Sequence, residues 1–240
     1  MGARENMSAG KAIRLAVDVL FAAAAAGLYF SFLSRDLSGT GDSTAIKYVA
    51  ILTVFAYSLT NASSADGVVV AAALLFTVVA DTFLLLLNAH YLLGVLSFCA
   101  VQALYFARMV RLGRYRRWWI SVIIRVSVWA AVIFVLGIAG VLDGLLCVTA
   151  LYFINLAVNM VESFGLCRQN RGMLLFSLGL ALFVCCDLCV GIHNLSQYLS
   201  IDGLKGLRAF AAVGMWAFYL PSQVLIAFSV RSFRREKHEA

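Results

Sequence analysis

The chain has 240 residues, of which 63% are hydrophobic and only 13% charged, and its mean hydropathy is +0.93. A soluble domain carries about 25% charged residues, and a soluble core of this size cannot hide so much apolar surface, whereas lipid can. The net charge of +7 does not point to nucleic acid, because the basic residues fall in short segments between apolar stretches rather than on a binding face.

A membrane crossing needs about 20 mainly apolar residues. Eight segments qualify, which predicts an all-α, polytopic bundle forming a single transmembrane domain over 1–240: 12–33, 46–60, 67–87, 91–110, 118–138, 141–161, 172–193 and 207–230. The first follows Lys11 and Arg14 and outruns a signal-peptide core of about 7–15 residues, so it reads as a retained helix. The second is the shortest. The third carries Asp81 and the fourth Gln102 and Tyr105. The fifth opens on Trp118 and Trp119, suited to the membrane interface, and contains Arg125. The sixth holds Tyr152, Asn155, Asn159 and Glu162. The seventh holds Asp187 among Cys185, Cys186 and Cys189, and the eighth Tyr219, Gln223 and the one proline, Pro221. The six cysteines fall in apolar segments and read as small buried residues, not as a disulfide framework. Connections are short, so sequential helices are expected to be antiparallel neighbours.

Lysine and arginine set the orientation. One side of such a bundle collects Arg4, Lys11, Arg14, Arg108, Arg111, Arg114, Arg116, Arg117, Arg168, Arg171, Arg231, Arg234, Arg235 and Lys237, fourteen in all. The other side holds four: Arg35, Lys47, Lys205 and Arg208. The excess marks the cytoplasmic side and puts both termini there, with the protein in the cell membrane.

Polar groups at membrane depth are costly and call for a reason. Asp81 lies 14 residues past Gly67 and Asp187 lies 15 past Gly172, each on an outward-running span. At about 1.5 Å per residue, both carboxyls come about 21–22 Å from the cytoplasmic end, in the outer half of the bilayer. Two carboxyls at one depth on separate helices can share a site. The plainer alternative is that each bonds a polar group on a neighbouring helix. Tyr152, Asn155, Asn159 and Glu162 follow one helical stripe, Gln102 shares a face with Tyr105, and Tyr219 shares one with Gln223. Asn88 and Asn194 each lie seven residues beyond an aspartate, nearly on the same face. Together these can line a polar cavity. Lys47, at the outer end of the second span, can either hold a phosphate as a point charge or extend to the interface. Arg125 and Asp18 lie at similar cytoplasmic depth and are expected to pair, with Arg14 as a local alternative for Asp18. Cys185, Cys189 and His193 stand at successive i+4 steps, but no second cysteine or histidine cluster completes a metal site, and none is assigned. No P-loop, dinucleotide or nucleophile-elbow motif is present.

The third and fourth spans read ADTFLLLLNAHYLLGVLSFCAVQALYFARM, with Asp81, Gly94, Phe98 and Tyr105 in order. The seventh reads LGLALFVCCDLCVG around Asp187, and the eighth carries Tyr219, Gln223, Leu225 and Ile226 in WAFYLPSQVLIAFS. With Lys47, this order over about residues 45 to 230 resembles the YhhN-like family of membrane proteins, which includes the lysoplasmalogenases. Ala80, Gln102, Cys186 and Tyr48 depart from residues usual in that family. The resemblance implies an eight-helix bundle that hydrolyses the vinyl ether bond of lysoplasmalogens, lysophospholipids of the bilayer, to a fatty aldehyde and a glycerophospho-alcohol. It implies Asp81 and Asp187 as the catalytic pair, without a cofactor. Lys47, Gln102, Tyr105, Tyr152, Asn155, Asn159, Tyr219 and Gln223 are the candidates for binding or orienting the substrate. The alternative is a proton- or cation-coupled transporter, or a lipid-binding membrane protein, using the same carboxylates.

Overall fold

The computed structural model describes residues 2–112, 118–167, 171–198 and 205–239. Arg114, Arg116, Arg117 and Arg168 lie outside the described residues, as do the side chains of Arg4, Lys205, Arg234, Arg235 and Lys237. The elements are α1 (Gly2–Ser38), α2 (Thr44–Leu59), α3 (Ala65–Asp81), a π turn (Thr82–Leu86), α4 (Tyr91–Leu112), α5 (Trp118–Ile138), α6 (Gly144–Leu166), α7 (Arg171–Tyr198) and α8 (Lys205–Glu239). No strand occurs among the described residues, and the protein is a multi-pass membrane helical bundle.

Seven of these helices are long and apolar enough to cross a membrane, and α2 is a shorter apolar helix of 16 residues. The second of the eight expected segments, 46–60, is this short helix. At about 1.5 Å per residue α2 is about 24 Å long, short of a hydrocarbon core of about 30 Å. The third span is corrected. It does not run to residue 87 as one α-helix, because α3 ends at Asp81 and the chain passes through the π turn into Asn88 and His90, both at positive φ.

Five helices close a ring, α3–α4–α6–α7–α8 and back to α3. α2 wedges against α3 and α8, and α1 covers α2 and α8. The expectation that neighbours in sequence pack together holds except at one point: α4 packs on α3 and α6, and α5 sits outside α6. The reason lies in the composition of α5, whose buried residues are only Ser121 and Arg125. The rest of its surface is apolar and suited to lipid.

Short-range chemistry fixes the ends. Ser64 caps α3 by accepting from the Gly67 N–H at 3.0 Å. Gly67 is required there, since a Cβ would stand 1.9 Å from the Asn61 carbonyl oxygen. Asp143 caps α6 through the Leu145 N–H at 2.9 Å. Pro221 interrupts α8 and cannot bond the carbonyl four residues back. That carbonyl, of Ala217, accepts instead from the Tyr29 hydroxyl of α1 at 3.3 Å.

Arg108 is the largest fully buried side chain, 1% exposed. Its guanidinium is bidentate on Asp66 of α3 at 2.7 and 2.9 Å, donates to Ser229 Oγ of α8 at 2.7 Å, and lies 4.6 Å from the Phe176 ring centroid of α7. Four of the five ring helices are joined at one level by this group. The tie also gives the helices a common register. Asp81 lies 15 residues beyond Asp66 on α3, about 22 Å along the axis. On α7, Phe176 is the residue at the level of Arg108, and Asp187 lies 11 residues beyond it, about 16 Å along the axis.

Arg108→Met leaves the Asp66 carboxylate without its partner. The expected loss is about 3–5 kcal/mol of stability, read as a lower unfolding temperature in detergent. Arg108→Lys should recover little, because an ammonium cannot make the bidentate contact. An unchanged unfolding temperature in the Met variant would show that this tie does not hold the ring.

Candidate functional site

Asp81 ends α3 with its side chain directed into the ring, 5% exposed. It accepts a hydrogen bond from the Tyr219 hydroxyl of α8 at 2.8 Å. The backbone just beyond it is irregular, and single π turns in α-helices recur at functional sites. Tyr48 of α2 bonds Thr82 Oγ1 at 2.9 Å, while Thr82 donates back to the Val78 carbonyl at 2.8 Å. Leu84 packs directly on Gly94 of α4, where a Cβ would stand 2.5 Å from Leu84 Cγ. The π turn therefore depends on glycine at 94.

Asp187 of α7 faces Tyr152 of α6. The two are within electrostatic range, yet the Tyr152 hydroxyl and Asp187 Oδ2 are buried without a hydrogen-bond partner in the protein. Cys186, the residue before, is within range of both aspartates, and Tyr219 is within range of Cys186 and Tyr152. Phe183, one turn inward, packs on Phe98, Tyr152 and Tyr219 with centroids 5.7, 6.4 and 5.6 Å away. One cluster thus holds Asp81, Tyr219, Cys186, Tyr152 and Asp187 over an aromatic floor. No hydrogen bond joins the two carboxyl groups; each is opposed by its own tyrosine.

The cluster continues outward. Tyr219 packs edge-on against Trp216 at 5.3 Å, and Lys47 Nζ of α2 lies 5.0 Å from the Trp216 centroid and 6.0 Å from that of Phe32. Lys47 is also ion-paired with Asp36 of α1 at 2.8 Å, and Ser43 donates to the other oxygen of Asp36 at 2.5 Å. Lys47 is therefore not extended freely to the interface.

The remaining candidates lie deeper. Gln102 and Asn159 bond each other, the Asn159 amide donating to Gln102 Oε1 at 2.9 Å and to its carbonyl at 3.0 Å. Asn159 and Asn155 in turn accept from Arg125 at 2.9 and 3.0 Å, and Glu162 accepts from it at 2.7 Å. The guanidinium lies 4.4 Å from the Phe106 centroid. Asn155 and Asn159 thus bond Arg125, and Gln102 bonds Asn159. The expected Arg125–Asp18 pair is corrected: Asp18 pairs with Arg231 of α8 and accepts from Tyr57 at 2.9 Å. Both charges found nearer partners, because α1 and α5 lie on opposite sides of the bundle. Tyr105 and Gln223 are fully buried, and the Tyr105 hydroxyl, Gln102 Nε2 and Gln223 Oε1 have no protein partner.

Two further readings change. Asn88 follows the π turn, accepts from the Tyr91 hydroxyl at 2.8 Å and shares no helical face with Asp81, and Asn194 is exposed. Of the cysteines, only Cys186 and Cys189 are buried; the others are half-buried, and all are free. Among the described residues, no three His, Cys, Asp or Glu side chains converge as metal ligands would.

Residues 42–230 match the YhhN family. The chain belongs to the YhhN family. No curated protein and no solved structure matches it. The YhhN match spans α2 to α8, and so takes in Asp81, Asp187, their tyrosines and Lys47, while Asp36 on α1 falls before it. Sequence reading missed Asp36, Asp66 and Trp216 as partners. Asp66 and Arg108 did carry a signal, being opposite charges at adjoining ends of consecutive antiparallel helices.

Gly94→Ala drives a methyl into Leu84 and should displace the π turn next to Asp81. The expected outcome is a loss of stability of about 1–3 kcal/mol, the usual scale of overpacking, largely recovered in the double variant Gly94→Ala/Leu84→Ala. Additive losses in that double-mutant cycle would show that the Gly94–Leu84 contact does not support the turn.

Proposed function

We propose that this protein is a membrane-embedded hydrolase that cleaves the vinyl ether bond of lysoplasmalogens, releasing a fatty aldehyde and a glycerophospho-alcohol. Membership of the YhhN family supports a membrane protein of this kind. The observation that carries the reading is the pair of buried carboxyl groups, Asp81 and Asp187, in one cluster inside a closed ring of helices, each opposed by a tyrosine.

The chemistry asks for such an arrangement. Cleavage begins when a proton is placed on the vinyl carbon remote from the ether oxygen, turning the C=C–O unit into an oxocarbenium ion. A neutral carboxylic acid supplies that proton, and an ionised carboxylate steadies the cation and then takes a proton from the attacking water. The resulting hemiacetal collapses to aldehyde and alcohol. A low-dielectric site strengthens both interactions. One carboxyl serves as the acid and the other as stabiliser and base, with Tyr219 bonded to Asp81 and Tyr152 facing Asp187 to orient them.

The chain is placed in the cell membrane with both termini cytoplasmic and eight crossings, α2 being short enough to need local thinning of the bilayer or snorkelling flanks. A transporter built on the same carboxylates needs a path to both sides. The Arg108–Asp66–Ser229 tie fills the ring at the cytoplasmic level, which favours a site reached from the outer half.

Asp81→Asn and Asp187→Asn should each lower aldehyde release from a lysoplasmalogen by about 10²–10⁴-fold, the scale of a general acid or base, with unfolding temperatures close to the parent. Near-normal release from either folded variant refutes the two-carboxyl mechanism. For topology, a cysteine placed at Gly41 should react with a membrane-impermeant maleimide in sealed cells and one at Arg235 should not; the reverse pattern inverts the bundle.

A further inference from the structure

Among the described residues, the ion pair at the outer end of the bundle is built differently from three others. Arg108–Asp66, Arg125–Glu162 and Arg231–Asp18 use arginines, and each joins helices at the inner or middle levels. Lys47–Asp36 is a lysine pair at the outer end, with side chains 12% and 14% exposed. Asp36 also lines a groove of about 660 Å³ between α1 and α8, whose other walls include Leu37, Phe210, Ala212, Val213 and Gly214. The groove walls are apolar apart from that carboxylate. Small residues Ala212 and Gly214 keep the α8 wall shallow, and exposed Leu37 and Phe210 flank it. From Gly214, α8 continues through Trp216 to Tyr219, the partner of Asp81. Lys47, Trp216, Tyr219 and Asp81 form an unbroken series of contacts.

We propose that the Lys47–Asp36 pair is the head-group site for a zwitterionic single-chain phospholipid that occupies the α1–α8 groove. This deepens the hydrolase reading and rests on it for the direction of the lipid toward Asp81. The charge pattern commits the site to one occupant. The phosphate meets the Lys47 ammonium, held in place over the Trp216 and Phe32 rings, and the amine end of the head group meets Asp36. A zwitterion thereby satisfies both members of the pair at once. A head group that carries phosphate alone takes Lys47 and leaves the half-buried Asp36 carboxylate uncompensated and facing another anion, a penalty of the kind that creates specificity by exclusion. The hydrocarbon chain lies along the apolar wall, and the glycerol unit is brought to the level of Trp216 and Tyr219. Asp36 lies before the matched segment 42–230, so α1 supplies half of the site.

The test is a binding measurement on the full chain purified in detergent, with ester-linked lysophospholipids that contain no vinyl ether to cleave. The probes are a choline lysophospholipid, a phosphate-only lysophospholipid of the same chain, and tail-less glycerophosphocholine. The parent protein should bind the choline lipid about tenfold tighter than the phosphate-only lipid, the scale of one charged contact, and should not bind the tail-less compound detectably. Asp36→Asn should bring the two lipids within about threefold of each other. Asp42→Asn, the same charge change on the adjoining exposed turn, should keep the parent ratio. If Asp36→Asn does not fold, Asp36→Asn/Lys47→Gln removes both charges together and should likewise lose the discrimination. Retention of the parent ratio in either variant overturns the site, as does equal binding of both lipids by the parent, or tail-less binding as tight as that of the lipid. These readouts do not depend on catalysis. Loss of discrimination with unaffected cleavage in Asp81→Asn would sink the hydrolase mechanism alone, and the converse would sink this site alone.

Discussion

The guanidinium of Arg108 is the constraint on which the ring depends. It is an always-charged group buried inside a membrane bundle, where an unpaired charge is untenable. Its donors therefore dictate where Asp66, Ser229 and the Phe176 ring must be. Between lipid-immersed helices there is little hydrophobic force to choose one packing over another, since lipid is as apolar as a leucine. Specific polar ties do that work here, and the ring helices take their relative register from this one. Once α3 and α7 are fixed in register, Asp81 and Asp187 enter one cluster around Cys186 with no hydrogen bond between them.

The other polar ties repeat the principle around the periphery. Arg125 fastens α5, which has few buried residues, to α6 through Asn155, Asn159 and Glu162. Asp18 and Asp36 fasten the lower and upper parts of α1 to α8 and α2. Tyr29 uses the carbonyl that Pro221 frees on α8. Each device satisfies a group that lipid cannot solvate, and each fixes one helix against another. Among the described residues, the buried polar atoms without a hydrogen-bond partner include Asp36 Oδ2 on α1 and others on α4, α6, α7 and α8.

That set contains residues on which the proposed chemistry draws. Tyr152, Asp187, Gln102, Tyr105 and Gln223 each bury a polar atom without a protein partner, a costly state that native proteins reserve for ligands, water or catalysis. The cost is supported by the ties below and outside the ring. The irregular backbone after Asp81, packed through Leu84 on Gly94, sets the outer limit of the same region.

The sequence by itself determined the class of the protein, its helices and its two intramembrane aspartates. Hydropathy over about 20 residues is a local property, so the spans could be counted along the chain. The order of Asp81, Gly94, Phe98, Tyr105, Asp187 and Tyr219 was enough to suggest the family. Partnership was not legible, because it depends on which helices touch. The α6 stripe of Tyr152, Asn155, Asn159 and Glu162 looks uniform in sequence, yet one end faces Asp187 and the rest faces Arg125. Only the placement of α5 outside α6 separates the two. Likewise Asp18 and Arg125 share a depth but stand on opposite sides of the bundle, and Asp36 and Lys47 meet only because the short turn at 39–43 folds α1 back on α2. A side chain's depth follows from its position in one helix, whereas its neighbour follows from the packing of several, and lipid leaves that choice to the few polar contacts that tertiary structure alone reveals.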